Sequence, residues 1–453
     1  MFVEADHAQR ALVSGWGRTV PTAATVRRPR SVAETAAILG SAGPRGVIAR
    51  GLGRAYGDAA QNAGGTVIDC TGLAGMRLDP ETGVVTAAAG MSVDALLRAL
   101  IPHGWFVPVS PGTRHVTVGG AIAADIHGKN HHRDGSFSEA LSSLRLILPS
   151  GEHRLVDRSD GRLFQATVGG MGLTGVIVEA TFRCIPIRTS RMRVDTVRAA
   201  NLEEALALMA EGDDAYRYSV AWIDLLARGP ALGRSVLTRG DHAEPAELTP
   251  RDAADPLGFD PRVRLSVPPW APPGLLNPMT VRAFNELWFR RAPRERRGEI
   301  QPLAGFFHPL DALAEWNRLY GRRGFLQYQF LLPFGAEGTL QEIVERVSAS
   351  GVASFLAVLK RLGAASGGWM SFPAPGWTLT LDVPVRPRVL GLTRDLDAAV
   401  LAAGGRVYLA KDSVLRADAV ERMYPRVMDF RALRSEIDPQ RILRSDLARR
   451  LEL

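Results

Sequence analysis

The chain has 453 residues, 46% hydrophobic and 23% charged, enough to bury a large core in two or three domains. Its two cysteines, Cys70 and Cys184, are too few for a disulfide framework or an iron–sulfur site and read as small buried residues. No run of about 18 apolar residues offers a membrane span, residues 1–18 carry no basic segment leading into an apolar one, and the +8 net charge points to anionic partners.

From residue 26 to 187 short β-branched runs alternate with Gly-rich turns and brief helices. Strands are expected at 46–50, 66–69, 84–88 and 144–148. Ser92 reads as the N-cap of a helix that runs to Leu100, with Asp94 in its first turn, and Pro149-Ser150-Gly151 reads as a hairpin turn. This is α+β texture. From about Thr189 to Gly405 the helical stretches lengthen and a Pro-rich interval spans 256–278. Residues 406–453 open on a strand-like run at 407–409 and end in an Arg-rich helical tail able to return to the first domain. The resulting segments are 1–189, 190–405 and 406–453.

Three Gly-rich segments lie beside strand-like runs, where exposed backbone N–H groups can cradle a pyrophosphate. They are Ala49-Arg50-Gly51-Leu52-Gly53-Arg54-Ala55-Tyr56-Gly57-Asp58-Ala59, the stretch from Gly112 through Thr117-Val118-Gly119-Gly120 to Ala124-Asp125-Ile126-His127-Gly128-Lys129-Asn130-His131-His132, and Gly169-Gly170-Met171-Gly172-Leu173-Thr174-Gly175. Each alone is also the signature of an ordinary turn. The last satisfies the dinucleotide fingerprint, yet it precedes the alternating run 176–182, which reads as a strand where a Rossmann site needs a helix, so the NAD reading is rejected. His127, His131 and His132 have no Cys or Glu among them, and no metal is assigned. His127 is either structural or orients a cofactor or substrate hydroxyl.

Of 55 basic residues only Lys129, Lys360 and Lys411 are lysines. Lys, unlike Arg, can lose its proton when buried, so all three are candidate site residues; the alternative is chance survival in an Arg-biased composition. A basic nucleic-acid binder finds no supporting motif.

The first loop, the 117–120 turn and Ile126-His127-Gly128-Lys129-Asn130-His131-His132 resemble the decaprenylphosphoryl-ribose oxidases, a family within the vanillyl-alcohol-oxidase-like flavoproteins. The likeness continues through residues 14–19, Phe325-Leu326-Gln327-Tyr328-Gln329-Phe330, Ser371-Phe372-Pro373, Ala410-Lys411-Asp412-Ser413 and 445–451. It implies a two-domain α+β fold: an FAD-binding domain built from both ends of the chain, and a substrate cap with a mixed or antiparallel sheet. It places FAD contacts on residues 49–59, Gly112, 117–120, 124–127, Ile177 and Tyr408. By the same resemblance Lys411 lies beside flavin and substrate, His127 positions the sugar or the ring, and Tyr56, Gln327, Gln329, Lys360 and Thr380 line the substrate pocket.

The implied activity is oxidation of the ribose 2-hydroxyl of a polyprenyl-phosphate sugar, followed by an NAD-dependent keto-reductase partner, at the plasma membrane of the cell envelope. The alternative is a soluble sugar or polyol oxidase. Some relatives attach flavin through a His in the first loop; here Arg54 and Tyr56 stand there, so dissociable FAD is expected. Thr380 occupies a place where several relatives have Cys, leaving no thiol there to be modified. Residues 265–297, with Trp270, Trp288, Phe289 and five arginines (Arg290, Arg291, Arg294, Arg296, Arg297), suit either a lid meeting lipid or an ordinary solvated helix face.

Overall fold

Alternating runs in the first third of the chain make two small sheets. One joins Gln9–Val13, Thr22–Arg27, Thr66–Asp69 and Val47–Arg50 in that spatial order, with its last two pairings parallel. The other is antiparallel and places Val176–Arg183 between Val84–Ala88 and Leu141–Ile147, with Met76–Leu78 and His153–Asp157 at its edges. The computed structural model describes residues 8–270 and 274–453; part of the 1–18 reading and the centre of the Pro-rich interval lie outside the described residues.

The expected hairpin at 149–151 joins two of these strands. The helix Val93–Leu100 is capped by Ser92, whose side chain accepts from Ala95 N, and it buries Val93, Leu96, Leu97 and Leu100. Cys70 and Cys184 are free and buried. Among the described residues no helix is long and apolar enough to cross a membrane.

The middle of the chain builds an eight-stranded sheet, in the order Glu295–Pro302, Arg191–Ala199, Ser235–His242, Tyr218–Ile223, Ala357–Leu362, Gly376–Pro384, Phe325–Leu332, Arg406–Val407. Its strands pair antiparallel throughout, which resolves the mixed-or-antiparallel expectation. The strand expected over 407–409 is shorter, pairing only through Arg406 and Val407, because the chain then turns: Lys411 N and Asp412 N both donate to Tyr408 O.

Side-chain alternation divides this sheet. Tyr328 and Trp377 point to one face, where their polar ends reach Asp397 of the helix Pro387–Ala402 and Glu337 of the helix Glu337–Ser350. Gln327, Gln329, Thr378, Thr380 and Asp382 alternate to the other face, together with Lys360, which is paired opposite Thr378.

The C-terminal segment returns to the N-terminal strands. Val47 N donates to Ile442 O, Arg444 N donates to Val47 O, and Arg450 clamps Asp58 and Asp412 at 2.7 and 2.8 Å. Arg434 is buried and donates to Leu173 O and Leu443 O, tying the tail to the third Gly-rich loop.

Candidate active site

The first Gly-rich loop leaves the strand Val47–Arg50 and folds over its own last side chain. Arg50 runs beneath the loop to bond Ser14 O and Ala60 O, and a Cβ on Gly53 would collide with its guanidinium. Gly53 also has φ +65°, so this position excludes a side chain twice over. Among the described residues the amides of Leu52, Gly53, Arg54 and Ala55 donate to no protein acceptor. A run of free amides in a turn is the chemistry of a phosphate cradle, and these residues fit the pyrophosphate of a dinucleotide cofactor. Arg54 stacks 3.7 Å over the Trp16 ring.

The second loop behaves differently from the sequence expectation. The amides of Val118, Gly119 and Gly120 donate to Met91 O, Ala89 O and Thr117 Oγ1, so this turn spends its donors within the protein. Asp125 is similarly consumed: its carboxylate accepts from Ser136, Ser366 and Ser371 hydroxyls and from Ser138 N. Its backbone N–H donates to Ile122 O, so among the described residues only its carbonyl remains for a cofactor. The third loop packs against the second, with Gly169 N and Met171 N donating to Ile122 O and Ala123 O, and the segment after it is the strand Val176–Arg183, as the rejection of a Rossmann site required. Ala124 O accepts from the Tyr408 hydroxyl, and Tyr408 stacks on Phe372 at 4.6 Å. Ile177 is buried in its strand, and the space beside Gly112 is open.

His127 projects from this packed unit toward the polar face of the large sheet. His127 is buried between two of that face's residues: Lys360 Nζ lies 3.1 Å from Nδ1, and Gln329 Nε2 lies 2.9 Å from Nε2 and 3.1 Å from Thr378 Oγ1. Burial, then the charges of Lys360, His131 and Lys411, hold His127 well below the ordinary imidazole pKa, so it is neutral.

The proton positions are then coupled. If the Gln329 amide donates to Nε2, the imidazole proton is on Nδ1 and Lys360 must accept it as a free amine. A charged Lys360 donates to Nδ1, moves the proton to Nε2 and requires the Gln329 carbonyl to turn toward it. Burial, reinforced by Lys411 and Lys129, brings Lys360 down to about 7, so the two arrangements are close in energy near neutrality.

Lys411 reaches the same region from the turn after Tyr408. Tyr56 N donates to Ala410 O, and a Cβ on Gly57 would collide with Asp412 O, so the first loop and the Lys411 turn are in direct contact. The Lys411 ammonium sits 4.1 Å over the Tyr56 ring and donates to no protein acceptor among the described residues. Burial lowers it to about 8 while Asp382 opposes that shift, so it stays mostly charged at neutral pH.

Lys129 is also lowered by burial, to about 7; its amine donates to Phe306 O and lies 4.2 Å over the Phe306 ring. The three lysines thus converge, each of Lys129 and Lys411 acting electrostatically on Lys360. His131 and His132 serve the scaffold instead, contacting Gly363 N and the carbonyls of Asp213 and Tyr216.

Sequence reading missed Thr378, Asp382 and Tyr320. Asp382 bonds Gln327 at 2.5 Å from the neighbouring strand. The available signal was alternation: Thr378, Thr380 and Asp382 are every second residue of one strand, as Gln327 and Gln329 are of the next.

Residues 23–157 match the FAD binding domain family, and residues 385–451 match D-arabinono-1,4-lactone oxidase. The chain is 44% identical over 446 residues, 97% of both chains, to decaprenylphosphoryl-beta-D-ribose oxidase of Mycolicibacterium smegmatis. It is 42% identical to an uncharacterized protein from the mprA 5′ region of Streptomyces coelicolor, over 80% of this chain and all of that one. A 30% identity to L-gulono-1,4-lactone dehydrogenase of Mycobacterium tuberculosis covers 46% of this chain and 48% of the relative.

Proposed function

Because the chain belongs to the decaprenylphosphoryl-beta-D-ribose oxidase family, we propose that it oxidises the ribose 2-hydroxyl of decaprenylphosphoryl-β-D-ribose to the 2-keto sugar as an FAD-dependent oxidoreductase. The observation that carries this reading is the position of the unbonded Lys411 amine, between a loop of free amides and a buried polar sheet face.

Bound FAD supplies the hydride-accepting ring. The free amides of residues 52–55 hold its phosphates, and the Lys411 ammonium stabilises negative charge that develops beside it. Lys360, which at pKa about 7 is partly a neutral amine near neutrality, takes the proton of the reacting hydroxyl on its lone pair while donating to His127 Nδ1, and His127, engaged at both ring nitrogens, positions it. Gln329 fixes the imidazole plane. Among the described residues no carboxylate is bonded to Lys360 or Lys129, and an anionic phosphate on the substrate provides the missing counter-charge.

The FAD is held without a covalent bond, since Arg54 and Tyr56 occupy the loop. The ketone passes to an NAD-dependent reductase partner that completes epimerisation, and the enzyme works peripherally on the membrane that carries its lipid substrate.

Anaerobic mixing with decaprenylphosphoryl-ribose tests the activity: the flavin absorbance band should bleach within the mixing experiment. A yellow protein that keeps its band with this substrate but loses it with soluble polyols would replace the proposal with the soluble-substrate alternative.

A further inference from the structure

On the aromatic side of the site three side chains have hydrogen-bonding capacity left over. Gln327 Nε2 donates to Asp382 Oδ1 at 2.5 Å. Among the described residues Asp382 Oδ2, Gln327 Oε1 and the Tyr320 hydroxyl complete no hydrogen bond of normal geometry, although Tyr320 lies close to Asp382 and Tyr56 close to Gln327 and the three residues are only 0%, 4% and 8% exposed. Interiors leave few such atoms unpaired, and three in one place mark a volume completed by a ligand or water.

Their positions are fixed from outside. Tyr320 stacks on Phe325 at 4.1 Å and 11°, and Asp382 N is anchored to Leu356 O and Ser354 Oγ. Burial raises the Asp382 carboxyl to about 7, opposed by Gln327, Lys411 and Tyr320, so the phenol lies close to the carboxyl although the pair falls short of hydrogen-bond geometry. The titratable groups acting on Asp382 are Tyr320, Tyr56 and Lys411.

The cluster lies one step along the sheet from the reacting end. Asp382 is opposite Gln327 and Thr380 is opposite Gln329, the residue bonded to His127. Two residues along a strand are about 7 Å, a distance a pentose ring with its substituents can bridge. A hydroxyl donates once and accepts twice, which matches the Gln327 amide oxygen as acceptor and the Tyr320 phenol and a protonated Asp382 carboxyl as donors.

We propose that Asp382, Tyr320 and Gln327 form a subsite for an unreacting hydroxyl of the sugar, and that this subsite sets which sugar the enzyme accepts. This rests on the reading that the oxidised carbon sits against His127. The cost of leaving such buried groups unpaired makes a sugar lacking that hydroxyl a poor ligand.

The test uses FAD-loaded wild type, Asp382→Asn and Tyr320→Phe, with flavin content and spectrum checked first. Binding is titrated by perturbation of flavin absorbance. The probes are a short-chain prenylphosphoryl 2-deoxyribose, which lacks the reacting hydroxyl, and its counterparts additionally lacking the 3- or the 5-hydroxyl. In wild type, one of the two dideoxy probes should bind at least about tenfold more weakly than the parent. In both variants that difference should shrink to less than about twofold. Discrimination that persists in both variants, or is missing in wild type, overturns the subsite and leaves these atoms to water. Failure of every prenylphosphoryl sugar to bind wild type would instead remove the functional reading, and the subsite with it.

Discussion

Lys360 and Lys411 are the same side chain in two electrostatic settings. Asp382 offsets part of the burial of Lys411, whereas Lys360 meets only further positive charge and an imidazole nitrogen. For Lys411 the expectation is that Lys411→Ala slows flavin reduction by substrate about 10²–10³-fold while flavin content is unchanged, as for loss of a preorganised charge at a reacting centre; near-normal reduction in single-turnover mixing removes it from the mechanism. For Lys360 the consequence lies in stability. In the unfolded chain it keeps its proton up to about 10.5, in the fold only up to about 7. Between those values the unfolded state binds more protons, so stability rises with pH through this window and is lowest below it. Lys360→Met should raise the thermal midpoint at pH 7 by several degrees, corresponding to a few kcal/mol, and should flatten the rise toward pH 10. Lys411, lowered to about 8, leaves part of that slope in place. Superimposable midpoints for variant and wild type across pH 6–10 would refute the account. Both lysines were legible because an Arg-dominated sequence makes a Lys conspicuous. Asp382 was not: its partner Gln327 is 55 residues away, and nothing local distinguishes a buried, bonded Asp from a surface one.

At the scale of elements, the Gly-rich loops look equivalent in sequence and are not. Among the described residues the first keeps the consecutive amides of 52–55 free above Arg50; the second caps its own short helix, and the third packs on the second. Composition shows where a loop is, but which carbonyl captures each amide is set by the strand or turn that arrives opposite, a tertiary event. The same limit explains the correct reading of the hairpin at 149–151 and of the Ser92 cap, both local, beside the over-long strand at 407–409, which is ended by the turn that delivers Lys411. Gly53→Ala tests the assignment of the first loop. It forces a side chain into a positive-φ position against Arg50, at a cost of about 1–3 kcal/mol in local strain. Titration of the FAD-free protein should then show FAD affinity about tenfold or more below wild type, with the far-UV spectrum retained. Equal affinity would move the pyrophosphate elsewhere. In the same preparation, acid precipitation of wild type should leave all the flavin absorbance in the supernatant, because this loop presents no His to hold it.

For the whole molecule the open question of physics is how a chain without a spanning helix among its described residues reaches a lipid-borne sugar. The helix Pro278–Arg291 presents Met279, Leu287 and Trp288 to solvent, 76%, 67% and 48% exposed, with Trp270 nearby in sequence at 78%. The basic cluster that follows is less free than its composition suggests: Arg290 pairs with Glu286, Arg296 with Glu299 and Arg297 with Glu295, and the last four of these residues lie on the edge strand Glu295–Pro302. Attraction to lipid should therefore come from the apolar helix face as well as from the overall +8 charge. These two contributions separate experimentally. Raising salt screens the charge, with a Debye length falling from about 10 Å at 0.1 M to about 3 Å at 1 M, but leaves apolar insertion intact. Met279→Glu combined with Leu287→Glu removes insertion and leaves most of the charge. In co-sedimentation with phosphatidylglycerol vesicles the double variant should bind at least about tenfold more weakly than wild type at either salt concentration, given about 1.5–3 kcal/mol for each large apolar side chain buried. Trp288 emission should shift to the blue on binding only in wild type. If both proteins sediment equally with anionic vesicles and both are released by salt, the helix face is an ordinary solvated surface, and the substrate's lipid reaches the site by another route.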